Sequence, residues 1–363
     1  MQSLLRNVFG KLSRRQDLTI DESRAVFERI LSGALDHGTL GGLLGALAVK
    51  GECVDELVGA ALAMRASAVP IRCDAECVDT CGTGGDGKST FNVSTTAAII
   101  AAAAGATVAK HGNRSTTRTS GSSEVLAELG IDIEAPPAVV ERCLREVRIG
   151  YLNARMLHPA MKHAAPVRQA IPVRTIFNLL GPLTNPAGAR RQVLGVPARE
   201  LVELMATALG KLGTLHSWVM HGSIEKVGAA SASNSSERVG TFEGRTLGGL
   251  CELTVTGSTF VIEIRDGRLR PFTISPEDFG LKRRTLAEIC VNGPVESAAV
   301  IREILAGKQG AAYDQAVLNA GATLLVAGKA ADLQNGIAQA RLAVDEGWAR
   351  KTLADWRAIA GSK

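Results

Sequence analysis

From Thr19 to about residue 70 the apolar positions repeat at helical intervals. Val26, Phe27, Ile30 and Leu31 make one stripe, and Leu40, Leu43, Leu44 and Leu47 make another. Gly51 ends the second stripe, and Val54 to Met64 begins a third. Thr19 with Glu22 three residues on has the form of a capping box and sets the start of the first helix. Such stripes must be covered, either by the rest of the chain or by a second copy of it.

Near Pro70 the period changes. Strand-length runs over 78–81, 106–110, 148–152, 191–196 and 216–220 alternate with helical runs over 94–104, 122–129, 137–146, 158–168 and 198–211. That alternation predicts a mostly parallel sheet flanked by helices on both faces, an α/β fold. Residues 222–249 break the rhythm. The small polar run from Ala229 to Ser236 predicts a flexible insertion, placed at 223–248. Beyond it the pattern predicts strands at 253–255 and 260–264, a hairpin turn at Asp266-Gly267, and helices over 296–360.

Composition narrows the class. The chain has 363 residues, 46% hydrophobic and 21% charged, which excludes a disordered or tail-like protein. Aromatics are only 4%, too few for a surface that stacks single-stranded nucleic acid. A net charge of +5 suits an anionic small molecule and is too mild for a nucleic-acid signature. The longest apolar run, Ala97 to Ala109, falls short of the ~20 residues that span a bilayer. The start of the chain carries no long apolar core, so neither a membrane span nor a secretory signal is expected. Cys73, Cys77 and Cys81 lie four apart, without a CxxC knuckle or a fourth ligand nearby. Reduced thiols and a cytoplasmic location follow.

The chemistry concentrates in residues 82–95. Gly82, Gly84, Gly85 and Gly87 lie between a predicted strand and a predicted helix, where backbone N–H groups can converge on one anion. The helix start, with Thr90, Ser94 and Thr95 hydroxyls and the Lys88 charge, adds donors to this phosphate cradle. The loop also fits the Walker spacing GxxxxGK[ST], but the Ser94 cap places the helix start after the lysine, leaving a nucleoside triphosphatase as an alternative. It fits GxGxxG as well, but the next strand ends in Lys110 where an acid is required for a dinucleotide. Lys110-His111-Gly112-Asn113 stands at that strand end, and Ser120 to Ser123 opens another helix, so two anion nests suggest a doubly phosphorylated ligand. Arg168 can fork a carboxylate, and His158 opens a helix; both also read as ordinary helix residues.

Taken together, GTGGDG with Asn92-Val93-Ser94-Thr95, then KHGNR, HPAMK, PVR and the run from Arg174 to Pro186 resemble the anthranilate phosphoribosyltransferase family in order and spacing. The match runs from about residue 17 to the C-terminus. The resemblance implies a small helical domain over 1–70 that forms a homodimer, and an α/β domain over 71–363 of the nucleoside phosphorylase/phosphoribosyltransferase class. It implies transfer of phosphoribose from 5-phosphoribosyl 1-diphosphate to anthranilate in tryptophan biosynthesis, with no acid/base residue assigned. A diverged relative with another aromatic acceptor, or one that binds nucleic acid, is the alternative.

By the same resemblance, Gly82, Gly85, Asp86 and Thr90 hold the donor, followed by Asn92, Val93, Ser94 and Thr95. The second donor segment is Lys110, His111, Gly112, Asn113 and Arg114, with Ser122 beyond it. Anthranilate falls to Gly82, Asn113, His158, Arg168 and Gly181. Two Mg2+ ions are implied, one on Ser94 and the others' ligands from an Asp-Glu pair. Here that pair aligns with Cys251-Glu252, so a thiol replaces a hard carboxylate and weakens the second site. An alternative alignment uses Glu225. Asn153, Arg155 and Pro172 also depart from the family pattern, and Arg155 bears on acceptor choice.

Overall fold

The computed structural model describes residues 2–113, 121–225, 241–242, 245–246 and 248–361. Four helices lead the chain: α1 (Gln2–Leu12), α2 (Ile20–Leu31), α3 (His37–Lys50) and α4 (Val54–Ser67). The capping box forms as its sequence predicts. Thr19 Oγ1 accepts the Glu22 N–H at 3.2 Å, and the Glu22 carboxylate accepts the Thr19 N–H at 2.9 Å. Both predicted leucine-rich stripes are buried. Helix α1 precedes the helices read from spacing; it buries only Val8 and Leu12, too sparse a pattern to declare itself.

The α/β region follows. Its strands are β1 (Cys77–Asp79), β2 (Thr107–Gly112), β3 (Ile149–Asn153), β4 (Arg191–Gly195), β5 (His216–Gly222), β6 (Thr259–Arg265) and β7 (Arg268–Ile274). Its helices are α5 (Val93–Ala103), α6 (Ser122–Glu128), α7 (Pro137–Val147), α8 (Ala154–Leu157), α9 (Ala165–Ala170), α10 (Phe177–Leu180) and α11 (Leu201–Lys211). The chain closes with α12 (Pro294–Leu305), α13 (Ala311–Val326), α14 (Leu333–Asp345) and α15 (Trp348–Ala360).

The sheet order is β3-β2-β1-β4-β5-β6-β7. The first five strands are parallel, and β6 and β7 add an antiparallel edge around the Asp266-Gly267 turn. Alternate residues face opposite layers, as a period of two demands. Val193, Trp218, Met220 and Val261 join a core with α5, α13 and α15. Leu194, Val219, Ile262 and Ile264 join a second core, shared by α11 and the leading helices. The leading helices therefore cover their stripes on the sheet layer of the same chain.

Two expectations are corrected. Residues 253–255 form no strand. Asn319 Oδ1 accepts the Leu253 N–H and Gln315 Oε1 accepts the Val255 N–H, while both amides donate back to the Leu253 carbonyl. Two buried amides replace a neighbouring strand, and three apolar residues in a row cannot distinguish the two. The single helix expected over 158–168 is divided into α8, a 3-10 turn at Pro159–His163, and α9, because Pro159 and Pro166 each remove a donor. Within the insertion placed at 223–248, Ser223 to Glu225 are fixed against Ser258, and Thr241–Phe242 pairs antiparallel with Arg245–Thr246. The rest of that insertion lies outside the described residues. No helix among the described residues is long and apolar enough to cross a membrane.

Candidate active site

Strands β1 and β4 are neighbours, and the chain winds outward from them in both directions. Their carboxyl ends therefore flank the crevice where open α/β sheets bind ligands. The chain leaves β1 through the glycine-rich loop and enters α5 at Val93, capped by Asn92, whose Oδ1 accepts the Thr95 N–H at 3.1 Å. The cap is Asn92, slightly earlier than the Ser94 read from sequence. The helix still opens five residues beyond Lys88, which removes the Walker geometry.

At these strand ends lies a cleft of ≈ 260 Å³. The loop contributes Gly82, Gly85, Asn92, Val93 and Ser94 to its wall. The end of β2 contributes Lys110, His111, Gly112 and Asn113, and the start of α6 contributes Ser122. Arg168 and Gly181 stand on another side, with Cys251 and Glu252 between. Four expected contacts are not in the wall. Thr90 is buried where it bridges to Cys290, and Thr95 is buried inside the first turn of α5. His158 is buried against His111, and Asp86 is buried beneath the loop. Arg114 and Ser120 lie outside the described residues.

Asp86 acts as a tie. Its Oδ1 accepts the Lys88 N–H at 3.1 Å, and its Oδ2 accepts the Cys251 N–H at 3.2 Å. This bond joins the glycine loop to a segment 165 residues away. Gly195, at the end of β4, makes the approach possible: a Cβ there would sit 1.6 Å from the Cys251 carbonyl oxygen. Of the two alignments for the acidic pair, the structure brings Cys251 and Glu252 into the cleft. Glu225 is elsewhere, accepting from the Ser258 N–H and Ser223 hydroxyl and paired with Arg283.

Sequence reasoning assigned no contact to Phe177, Asn178 and Pro182, which also line the cleft. All three belong to the Arg174–Pro186 motif, whose only assigned member was Gly181. Arg174 from the same motif holds the loop, its guanidinium donating to the Gly85 carbonyl at 2.8 Å. Gly85 has φ +90°, and a Cβ there would collide with that guanidinium.

Charge in the site is arranged by burial. Lys110 is 1% exposed, with Nζ 3.3 Å from Thr80 Oγ1 and 3.2 Å from Ser94 Oγ. Burial lowers its pKa, and Asp79 and Cys81 oppose that shift. Asp79 lies beneath it; burial pushes the carboxyl up to about 6, against bonds from Asn185 and the His111 N–H. His111 Nδ1 lies 3.0 Å from the Gly181 carbonyl, so in the neutral ring Nδ1 carries the proton and donates. The His111 and His158 rings are 5.2 Å apart between centroids. Burial pushes His111 down to about 3 and His158 down to about 4. Both are neutral at pH 7.

That pair predicts acid sensitivity. Unfolded imidazoles take up protons near pH 6.5, whereas these two stay neutral when folded until about 3 and 4. Their contribution is complete above pH 6.5 and is lost as pH falls, each by about 1.4 kcal/mol per pH unit. Asp79 acts oppositely between about pH 4 and 6, since the folded chain binds its proton first. Two imidazoles outweigh one carboxyl. The melting temperature is expected to fall from pH 7 to pH 5, and a flat or rising Tm in that range contradicts a buried neutral pair.

Comparison with known proteins agrees with this construction. A glycosyl transferase family helical bundle domain matches residues 6–68, and a glycosyl transferase family a/b domain matches residues 74–243 and 227–350. The anthranilate phosphoribosyltransferase of Anaeromyxobacter dehalogenans (strain 2CP-1) is 45% identical over 351 residues, covering 96% of this chain and 97% of that one. The chain belongs to the anthranilate phosphoribosyltransferase family. Its fold matches the crystal structure of the family member from Thermus thermophilus with a TM-score of 0.85 at 39% identity, over 97% of this chain and 99% of that one. The Saccharomyces cerevisiae family member in complex with PRPP and Mg shares the fold, with a TM-score of 0.84 at 24% identity, over 99% of this chain and 98% of that one. Seen within the family, the glycine loop, the end of β2 and the Arg168 side are three walls of one cleft. Cys251 lies inside that cleft.

Proposed function

We propose that the chain transfers the phosphoribosyl group of 5-phosphoribosyl 1-diphosphate to the amine of anthranilate, giving N-(5-phosphoribosyl)anthranilate and diphosphate in tryptophan biosynthesis. The observation that carries this reading is one cleft with two chemically different ends. One end has the glycine loop, the start of α5 and Lys110. The other has the Arg168 guanidinium 5.1 Å from the centre of the Phe177 ring. A diphosphate suits the first and a benzoate suits the second.

The reaction follows from that placement. The amine nitrogen forms a bond to C1 of the ribose as the bond from C1 to the diphosphate oxygen breaks. Negative charge collects on the departing diphosphate, where Lys110 and the loop N–H groups stabilise it. Arg168 takes the acceptor carboxylate and Asn113 donates beside it, so the amine is held toward C1. His111 and His158 are neutral and enclosed; His111 lines the wall with His158 packed against it, and neither exchanges protons. An arylamine needs little activation, and its proton passes to water after the C–N bond forms.

Mg2+ fits part of the donor set. Glu252 and Ser94 are hard oxygen ligands in the same wall as the diphosphate cradle, and they would hold an ion that substrate phosphates complete. Bound there, Mg2+ neutralises charge on the diphosphate. Cys251 is not a suitable Mg2+ ligand, so a second ion has one hard side chain fewer. The remaining parts of the proposal rest on the same family reading: a cytoplasmic homodimer joined through the helical domain 1–70, with both substrates held by the α/β domain 71–363.

The direct test is the loss of anthranilate fluorescence when donor and Mg2+ are added. No loss, together with salt-sensitive DNA binding, would favour the diverged reading. Arg168→Ala is expected to raise KM for anthranilate about 10- to 100-fold, the worth of charge-assisted hydrogen bonds, with a smaller effect on KM for the donor. An equal rise for both substrates would place Arg168 away from the acceptor.

A further inference from the structure

A second cleft, of ≈ 380 Å³, opens at the opposite end of the sheet. Thr107 begins β2 and Arg148 precedes β3, so its wall stands at the amino ends of the strands, away from the active site. Arg72, Arg145 and Arg148 line it. All three are exposed, and among the described residues none makes a side-chain hydrogen bond or a close ion pair. Two acids share the wall, Asp74 and Glu141, and Glu141 is occupied in accepting the Arg72 backbone N–H at 2.9 Å. The lining is net positive.

The same wall contains Cys73, a half-buried thiol. Its Sγ donates to the Ala75 carbonyl at 3.2 Å, and its side chain packs against the buried cluster that contains Cys77, four residues on at the start of β1. Cys77 is buried with Ile71, Ala109 and Leu144. Cys73 stands in the cleft wall while Cys77 is buried, and the neighbouring thiols lower Cys73 and raise Cys77, so Cys73 is the nucleophile of the pair. Neither thiol has a role in the transfer reaction. Arginines collect an anionic reagent at the mouth, the first thiol is presented to it, and the second lies in the buried cluster against which the first packs.

We propose that Cys73 is a thiol–disulfide exchange site for small anionic disulfides, with Cys77 as its resolving thiol. In the first step the Cys73 thiolate attacks one sulfur of the reagent; a mixed disulfide forms and one thiolate leaves. In the second, Cys77 gives up its proton and attacks the Cys73 sulfur. A Cys73–Cys77 disulfide forms, and the second thiolate leaves and takes the proton. Two protein thiols are oxidised and one reagent disulfide is reduced to two thiols. Disulfides of this transient kind are the ones expected in a reducing compartment.

The test treats the full chain with oxidised glutathione, which is anionic, or with cystamine, which is cationic. Remaining thiols are trapped with N-ethylmaleimide and located by peptide mass. Exposed Cys290 is the internal reference, cancelling the different reactivity of the two reagents. With oxidised glutathione, Cys73 is expected to react roughly tenfold faster than Cys290, a modest electrostatic steering effect, and the product to be the Cys73–Cys77 disulfide. With cystamine that ratio falls. Arg145→Ala combined with Arg148→Ala removes the difference between reagents while Cys290 keeps its rate, which verifies the fold. Equal ratios for the two reagents, or Cys290 reacting first, overturn the site. A mixed disulfide that persists at Cys73 overturns the role given to Cys77.

Discussion

Lys110→Met is expected to lower kcat/KM by about 10²- to 10³-fold, the usual cost of removing one preorganised charge-stabilising group. The size follows from where the cation sits. At 1% exposure it has no solvent shell to share the work, and its nearest polar neighbours, Thr80 and Ser94, are hydroxyls and not carboxylates. Asp79 is the carboxyl among the groups that shift it; burial raises that carboxyl to about 6, so it stays mostly ionised at pH 7 and offsets part of the cation's burial cost. The cation is therefore kept in a low-dielectric wall for an anion still to arrive. Steady-state kinetics with each substrate varied would show the loss in kcat and in KM for the donor, with KM for anthranilate little changed. Thermal melting separates this from damage to the fold. Removing the cation relieves its desolvation but leaves the buried Asp79 carboxyl without a compensating charge, so Tm is expected to fall while the chain remains folded at the assay temperature. Unchanged donor kinetics would mean that Lys110 does not face the diphosphate.

Glu252→Gln is expected to cost about 10²-fold in kcat/KM and to shift half-saturation toward higher Mg2+, because it removes the one carboxylate that lines the cleft among the described residues. Cys251→Asp should move half-saturation the other way, toward lower Mg2+, by adding the hard oxygen that the thiol lacks. A Mg2+ titration of activity for the three proteins reads both directions. If Cys251→Asp leaves the curve unmoved, the second ligand does not come from this position. The pair is informative because Cys251 and Glu252 are fixed by the same backbone. The Cys251 N–H bond to Asp86 and the close contact with Gly195 survive both substitutions.

Much of the cleft was legible because its lining segments are local. A glycine loop between a strand and a helix must present N–H groups, and Lys110 to Asn113 at a parallel strand end must face the crevice. Thr90, Thr95 and His158 stand outside the cleft wall; composition shows that a residue can donate but not which way it points. Thr95 lies in the first turn of α5 and is buried, and His158 is turned onto His111 by the 3-10 turn that Pro159 starts. The choice between Glu225 and Glu252 was open in sequence, since an insertion between β5 and the acidic pair leaves spacing without meaning.

By itself the sequence determined the helical lead, the β/α alternation, the two segments that line the cleft and the family. All of these rest on periodicity or short-range spacing, which neighbouring residues settle among themselves. The tertiary structure alone decided the antiparallel β6–β7 edge, the amide-held loop at 253–255, the buried imidazole pair and the meeting of Asp86 with Cys251. Each of those depends on contacts between distant segments, whose closeness is set by how whole layers pack and by where a missing Cβ, as at Gly195, lets two backbones touch.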